Sequence, residues 1–316
     1  MRIGLTGGAS TPDKIVHQAR RAEDDGFTSL WYASNVCGDP LTPMALAGRE
    51  TSAIELGTAV LQTYPCHPLL QANRAASAAA TMGRPGLTLG IGPSHASIVR
   101  DAYGMSYDHP GRNAEEYTRI LARLLRGEDV DFHGEDWTTR STDRMAPLPH
   151  PVPVLLSALS PRLLRAAGRH ADGTILWMAP VKAIDGHIAP HIHAAAAEAG
   201  RPAPRIVAGL PVAVHDDVTE ARNAVAATSA AYADAPNYQR ILALGGAATP
   251  ADAAIVGTET SVRNQLRSLL DAGATDVWAN IVPAGPDPAA SRKRTRDLLR
   301  DLATPPPAAR RGQRPT

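Results

Sequence analysis

Aromatic residues are scarce in this chain, which has two Phe, four Trp and seven Tyr among 316 residues. So few rings leave the helices to pack on small side chains, and the abundant Ala suits close packing against a central sheet. Cysteine is nearly absent. Cys37 and Cys66 cannot build a disulfide framework, and the pair suits a reducing, cytoplasmic compartment. Both fall in loops after strands, either near a site or as small buried side chains. Neither sign of charge dominates, with 32 Lys and Arg against 31 Asp and Glu. A general nucleic-acid binder would carry a basic excess, so none is expected. No apolar run reaches membrane-spanning length, so no membrane partner is expected. The start, "MRIGLTGGAS", lacks the apolar centre of a signal peptide. A P-loop and a G-x-S-x-G elbow are also missing.

What is present is alternation. "RIGLTG", "TSLWYA", "IELGTAVLQT", "GLTLGIG", "PVLLSA", "DGTILWM", "RIVAGLPVAV" and "TDVWANIV" are short apolar runs. Each reads as a parallel strand buried on both faces. Amphipathic or Ala-rich helices follow them. The first opens with Thr11 as cap and Pro12 behind it, buries Ile15, Ala19 and Ala22, and ends at Gly26. The second starts at Asp39-Pro40, and one long helix is expected over "KAIDGHIAPHIHAAAAEAG". Eight strand–helix units predict a closed (β/α)8 TIM barrel, with an open doubly wound sheet as the alternative. The expected domain runs over 1–303, with an insertion between strands four and five over about 104–150. Within it "VDFHGEDWTT" reads as a β-hairpin. Residues 304–316, "TPPPAARRGQRPT", are Pro- and Arg-rich and read as disordered.

In such a barrel chemistry sits at the C-terminal ends of the strands. The candidates are Thr6 to Gly8, Ala33 to Cys37, Gln62 to His67, Gly92 to His95, Ser157 to Ser160, Trp177 to Met178, His215, and Ile281 to Pro283. "LGIGPSH" fails as a dinucleotide fingerprint because position 95 is His, not Gly, and no acidic strand end follows. Its glycines still permit a ligand to lie close, and Ser94 either caps a helix or meets that ligand. "SALSPRLLR" places Ser160 as cap and Pro161 first in a helix. That start is either an anion site, aided by Arg162 and Arg165, or a plain capped helix. Trp177 is either a wall for a flat ring or core. His187 and His191 are four apart, but Pro190 lies between them on a helix. A solvated helix face is preferred to zinc there, and no metal site is expected. With little reactive equipment of its own, the chain points to a cofactor that brings the chemistry.

"GFTSLWYASN", the stretch from Leu56 to His95, "PVPVLLSALSPRLLRAAGRHADGTILWM" and "DAGATDVW" resemble the luciferase-like monooxygenase superfamily. Within it they resemble the coenzyme F420-dependent oxidoreductases of actinobacterial type. The resemblance runs from Met1 to about Pro283. It implies a barrel with an insertion and a flavin or deazaflavin at its mouth. It also implies a cis Ala59-Val60 peptide beneath the ring. The implied cofactor-binding residues are Gly7, Ala59, Val60, Gln62, Gly92, Pro93, Ser94, His95, Ser157, Ala158, Leu159, Ser160 and Trp177. Arg162 and Arg165 would meet the polyglutamate tail of F420. Many relatives end strand two with an acidic residue and a catalytic His, where this chain has Ser34-Asn35. Asn35 can hydrogen-bond but cannot transfer protons near neutral pH. A reductase therefore fits better than a sugar-phosphate dehydrogenase. Hydride from reduced F420 would reach an activated C=C or C=N of a small molecule. The proton would come from solvent, Tyr64, His67 or His95. The alternatives are an FMN-dependent monooxygenase and a ligand-binding barrel without turnover. The resemblance further implies a homodimer.

Overall fold

A computed structural model describes residues 1–35, 38–142 and 148–303. Cys37 and the tail 304–316 lie outside the described residues. The elements follow in order: β1 (Ile3–Gly7), α1 (Pro12–Asp24), β2 (Ser29–Tyr32), α2 (Leu41–Arg49), β3 (Glu55–Thr58), β4 (Leu61–Gln62), α3 (Pro68–Met82) and β5 (Leu87–Gly92). Next come α4 (Pro110–Leu125), the hairpin strands β6 (Val130–His133) and β7 (Thr138–Ser141), β8 (Val154–Leu156), α5 (Pro161–His170) and β9 (Gly173–Trp177). The chain continues with α6 (Val181–Ala183), α7 (Ala189–Glu198), β10 (Arg205–Val214), α8 (Val218–Ala233), α9 (Pro236–Leu244), β11 (Ile255–Gly257), α10 (Glu259–Asp271), β12 (Asp276–Ile281) and α11 (Pro288–Leu302).

The strands pair in the circular order β1, β2, β3/β4, β5, β8, β9, β10, β12, all in parallel. The β9–β10 ladder, from Arg205↔Gly173 to Gly209↔Trp177, closes the ring and excludes the open sheet. All eight expected strands are present. β11 is an extra edge on the far end of β10. Inside the barrel Trp31 and Trp278 pack with Leu155, Ile175 and Val207. Two of the few large rings thus fill the lumen, and glycines opposite make room. A Cβ at Gly57 would collide with the Trp31 ring, and one at Gly209 with Trp278. The larger core lies outside the barrel, between strands and helices.

β3 and β4 are one barrel strand broken by a bulge. Gly57 pairs with Thr88 but Leu61 with Ile91, so β3/β4 carries one extra residue. The Ala59-Val60 peptide within it is cis. The Thr58 hydroxyl donates to the Gly90 carbonyl (2.7 Å) and accepts from the Gly90 N–H (2.9 Å), restoring the ladder across the bulge.

Thr11 caps α1 through the Lys14 N–H, and Ser160 caps α5 through the Leu163 N–H. The region expected to interrupt the alternation contains a ring helix, since α4 packs against both α3 and α5. Only the hairpin and its flanks stand outside the ring. The single helix expected over 182–200 is broken. A π-helical turn, Ile184–Ile188, separates α6 from α7, because Pro190 has no N–H to continue the ladder. No described helix is long and apolar enough to cross a membrane.

Candidate active site

A cavity of about 880 Å³ opens at the C-terminal ends of β4, β5, β8 and β9, roofed by the α8–α9 connection. Its floor is Val60, turned out by the bulge. One wall is the turn after β5, Gly92 to His95. The other is the loop after β8, with Ser157, Leu159 and Ser160, and Trp177 closes the back. These nine positions were expected from the sequence, and they converge.

The turn after β5 is held open from two sides. Ser94 has a φ of 65°, the left-handed region that a non-glycine residue rarely adopts. Its hydroxyl accepts a hydrogen bond from Gln62 Nε2 (3.0 Å), and its carbonyl accepts one from the Tyr107 hydroxyl (2.8 Å). Tyr103 in turn donates to Gln62 Oε1 (2.7 Å). Ser94 therefore caps no helix. Gln62 braces the turn from outside the cavity lining. The His95 imidazole is half-buried, and burial pulls its pKa below the ordinary histidine value, so it is neutral near pH 7. Its ring lies 6.2 Å from Tyr238 and 6.4 Å from Tyr232.

Several expected residues stand elsewhere. His67 caps α3, its Nδ1 accepting from the Leu69 N–H (3.2 Å). Nε2 must then carry the proton, and it donates to the Thr138 carbonyl of β7 (3.1 Å). Both nitrogens are committed to structure, with Trp137 packed edge-on at 5.5 Å. Tyr64 is buried against Tyr107 at 5.4 Å, and burial raises its pKa to about 12. Asn35 is exposed and lines no part of the cavity. Gly7 faces the Tyr32 ring, and the Ala158 side chain is sealed in the outer core.

The cations also differ from expectation. Arg162 is paired with Glu115 through Nε (2.9 Å) and Nη2 (2.8 Å), so its charge is already met. Arg165 faces a separate small hollow beside α7, with His191 and Glu198. Arg240 of α9 lines the main cavity and makes no ion pair with a described residue. The neighbouring Tyr238, Asn237 and Asp234 line it too. None of these four was expected, because their stretch carries no strand-end signal. His187, expected on a solvated face, also lines the cavity, with Nε2 on the Leu159 carbonyl (2.9 Å). His215 sits outside it, near Glu220. Cys66 is buried, with Arg74 Nη1 at 3.6 Å from its sulfur. No group of three or more metal-ligating side chains occurs among the described residues.

The family model of luciferase-like monooxygenases matches residues 1–303. The 5,10-methylenetetrahydromethanopterin reductase of Methanolobus tindarius is 29% identical over 189 residues, which is 60% of this chain. That match spans 57% of the reductase, less than two thirds of its length. The coenzyme F420-dependent tetrahydromethanopterin reductase of Methanopyrus kandleri superposes with a TM-score of 0.76 at 21% identity, over 96% of this chain and 99% of that one. The FMN complex of the oxygenating constituent of 3,6-diketocamphane monooxygenase from Pseudomonas putida gives 0.71 at 17%, over 96% and 98%. At these identities the superpositions establish the fold alone. The family match covers the barrel and every residue of the cavity described above. On that basis this chain belongs to the luciferase-like monooxygenase family.

Proposed function

We propose that the chain is a coenzyme F420-dependent oxidoreductase that reduces an activated C=C or C=N bond of a small organic molecule. When bound, F420 supplies a two-electron carrier that exchanges hydride at a ring carbon. The observation that carries the reading is the mixed lining of the cavity. It joins a bulged apolar floor at Val60 to hydroxyls at Ser157 and Ser160 and to the cation Arg240 at the roof. A flat ring with an anionic tail fits that lining. Gly92 leaves no side chain between floor and wall, and the β5 turn is fixed by Gln62 and Tyr107. Arg240 makes no ion pair with a described residue and takes the part expected of Arg165. The His95 imidazole, neutral and without a hydrogen-bond partner among the described residues, can pass a proton at the substrate. The methanopterin reductases among its relatives favour F420 and reduction.

Titration of purified protein with F420 and with FMN, followed by fluorescence, tests the cofactor. Saturable F420 binding is expected. Arg240→Gln is expected to weaken it about tenfold, the worth of one charge-assisted hydrogen bond. His95→Ala is expected to lower turnover of a responsive enone or imine about 100-fold, the usual size of a general acid–base contribution. Tight FMN binding without F420 binding would sink the proposal. It would favour the second reading, an FMN monooxygenase, which the diketocamphane enzyme's shared fold keeps in play.

A further inference from the structure

The chain has four Trp and seven Tyr. Two of the four and three of the seven gather at one end of the barrel. Trp177 stacks on Trp278 at 5.0 Å and meets Tyr232 at 6.1 Å. Tyr232 meets Tyr238 edge-on at 5.2 Å, and both rings flank His95. Tyr107 braces the turn beneath. Trp177, Tyr107 and Tyr238 line the cavity, and Trp278 and Tyr232 pack behind them. Among the described residues, the only Asp, Glu, Lys or Arg side chains in the cavity wall are Asp234 and Arg240, both exposed at the roof. Nothing charged in the ringed part would pair with an ionic ligand, whose desolvation would go uncompensated.

Two polar groups there are free: Trp177 Nε1 is buried without a hydrogen-bond partner among the described residues, and the second is a phenol. Tyr238 is nine-tenths buried and lines the cavity, yet its hydroxyl has no hydrogen-bond partner among the described residues. Tyr107, by contrast, has committed its hydroxyl to Ser94. The Tyr238 oxygen is not sealed in the core, so it is open to a ligand in the cavity.

We propose that this chamber takes a planar, uncharged, conjugated carbonyl compound whose oxygen accepts a hydrogen bond from the Tyr238 hydroxyl. The inference deepens the reading of the cavity as the active site and rests on it. Flat conjugated molecules gain from ring-on-ring contact with Trp177, which Tyr232 supports from behind, and a globular molecule of equal size does not. Burial raises the Tyr238 pKa, so the hydroxyl keeps its proton and donates.

The probe is chromone, a fused enone. Its controls are naphthalene, planar without a carbonyl, camphor, similar in size but globular, and chromone-2-carboxylate, planar but charged. Binding is read as quenching of tryptophan fluorescence, with and without saturating F420. Chromone is expected to bind saturably in both conditions, at least tenfold more tightly than camphor or the carboxylate. Tyr238→Phe is expected to weaken chromone about tenfold and to leave naphthalene unchanged, a split that a merely structural tyrosine would not produce. Tyr232→Ala is expected to weaken both ligands. Camphor binding as well as chromone would overturn the proposal. So would an equal loss of both planar ligands in Tyr238→Phe, displacement of chromone by F420, or no chromone binding in either condition. F420 affinity is measured separately on the same protein. A failure there strikes the cofactor reading and leaves the chamber's selectivity to be judged on the chromone data.

Discussion

Gly90 and Gly92 stand two residues apart on β5 and face different obstacles. A Cβ at Gly90 would collide with the Thr58 carbonyl oxygen, a backbone atom held by the bulge. At Gly92 it would rest 3.1 Å from both Ser157 Cβ and Val60 Cγ2, side-chain atoms on the cavity wall. Gly90 therefore serves the barrel and Gly92 serves the site. Gly90→Ala is expected to cost about 3 kcal/mol or more, since backbone cannot give way, and to be seen as a lowered thermal midpoint or lost soluble expression. Gly92→Ala is expected to keep the fold and lower F420 affinity by crowding the floor. Matched melting curves and F420 titrations of the two variants check this, and equal effects would refute the division. The LGIG pattern shows two glycines on a buried strand but not which backbone each approaches. The same holds for Arg84 in the Gly-Arg turn. Its guanidinium donates to the carbonyls of Gly48, Thr51, Ile54 and Pro85 and to the Thr51 hydroxyl. That role depends on where the α2–β3 loop passes, which local pattern does not encode.

Among the elements, the hairpin shows what one carboxylate can hold. Glu116 of α4 accepts the N–H groups of Glu135, Asp136 and Trp137 at 2.9–3.0 Å, and so fixes the β6–β7 turn to the ring. Gly134 must be bare there, because a Cβ would strike the Glu116 carboxylate. Glu116→Gln replaces charge-assisted bonds with weaker ones and is expected to loosen the turn by about 1–2 kcal/mol. Hydrogen exchange at residues 135–137 should quicken roughly tenfold while exchange in β5 and β10 is unchanged. Unaltered protection of the turn would count against the anchoring role. The barrel strands and the hairpin were legible because period, apolar runs and turn residues are local signals. Helix α9 and strand β11 were not, since their stretch is rich in Ala, Gly and Thr and shows neither period clearly. Tyr238 and Arg240 lie in this stretch, so no local signal in the sequence marks them. His67 illustrates the reverse case. Its place before Pro68 marks a helix start correctly, and the cap it forms removes it from the chemistry.

Across the whole molecule, the pole opposite the cavity is tied by charge. Arg205 of β10 reaches Glu55 of β3 (2.9 Å) and Asp276 of β12 (2.8 Å), and Arg2 reaches the same two carboxylates. Thr88 of β5 adds a bond to Glu55 (2.6 Å). Strands from opposite sides of the barrel are thereby joined where the lumen ends. Asp276 is 2% exposed. Burial is the largest influence on it and works to raise its pKa, yet Arg205, Thr275 and Arg2 together hold it below the usual carboxylate range. Glu23 is also lowered. Burial again opposes the shift, but the N–H groups of Ser52, Ala53 and Ile54 outweigh it. A carboxylate whose folded pKa is depressed binds protons more readily when unfolded. Its stabilisation is complete above the unfolded value, about 4, and is lost as pH falls through the folded value. The unfolding free energy is therefore expected to be nearly flat from pH 8 to about 5 as far as these groups act, and to drop steeply below. The lowered histidines, His95 and His170, act in the same direction, because each must remain neutral where the unfolded chain would be protonated. They begin to cost stability below the ordinary histidine range. Asp276→Asn removes a deeply buried carboxylate and leaves Arg205 and Arg2 sharing Glu55 alone. It is expected to cost about 3 kcal/mol at pH 7, the lower end for breaking a buried pair, and to flatten the acid limb. Urea unfolding of wild type and variant at pH 7, 5 and 3.5 provides the check. A variant that loses stability at pH 7 but keeps the wild-type acid slope would remove Asp276 from the titration and shift it onto Glu23.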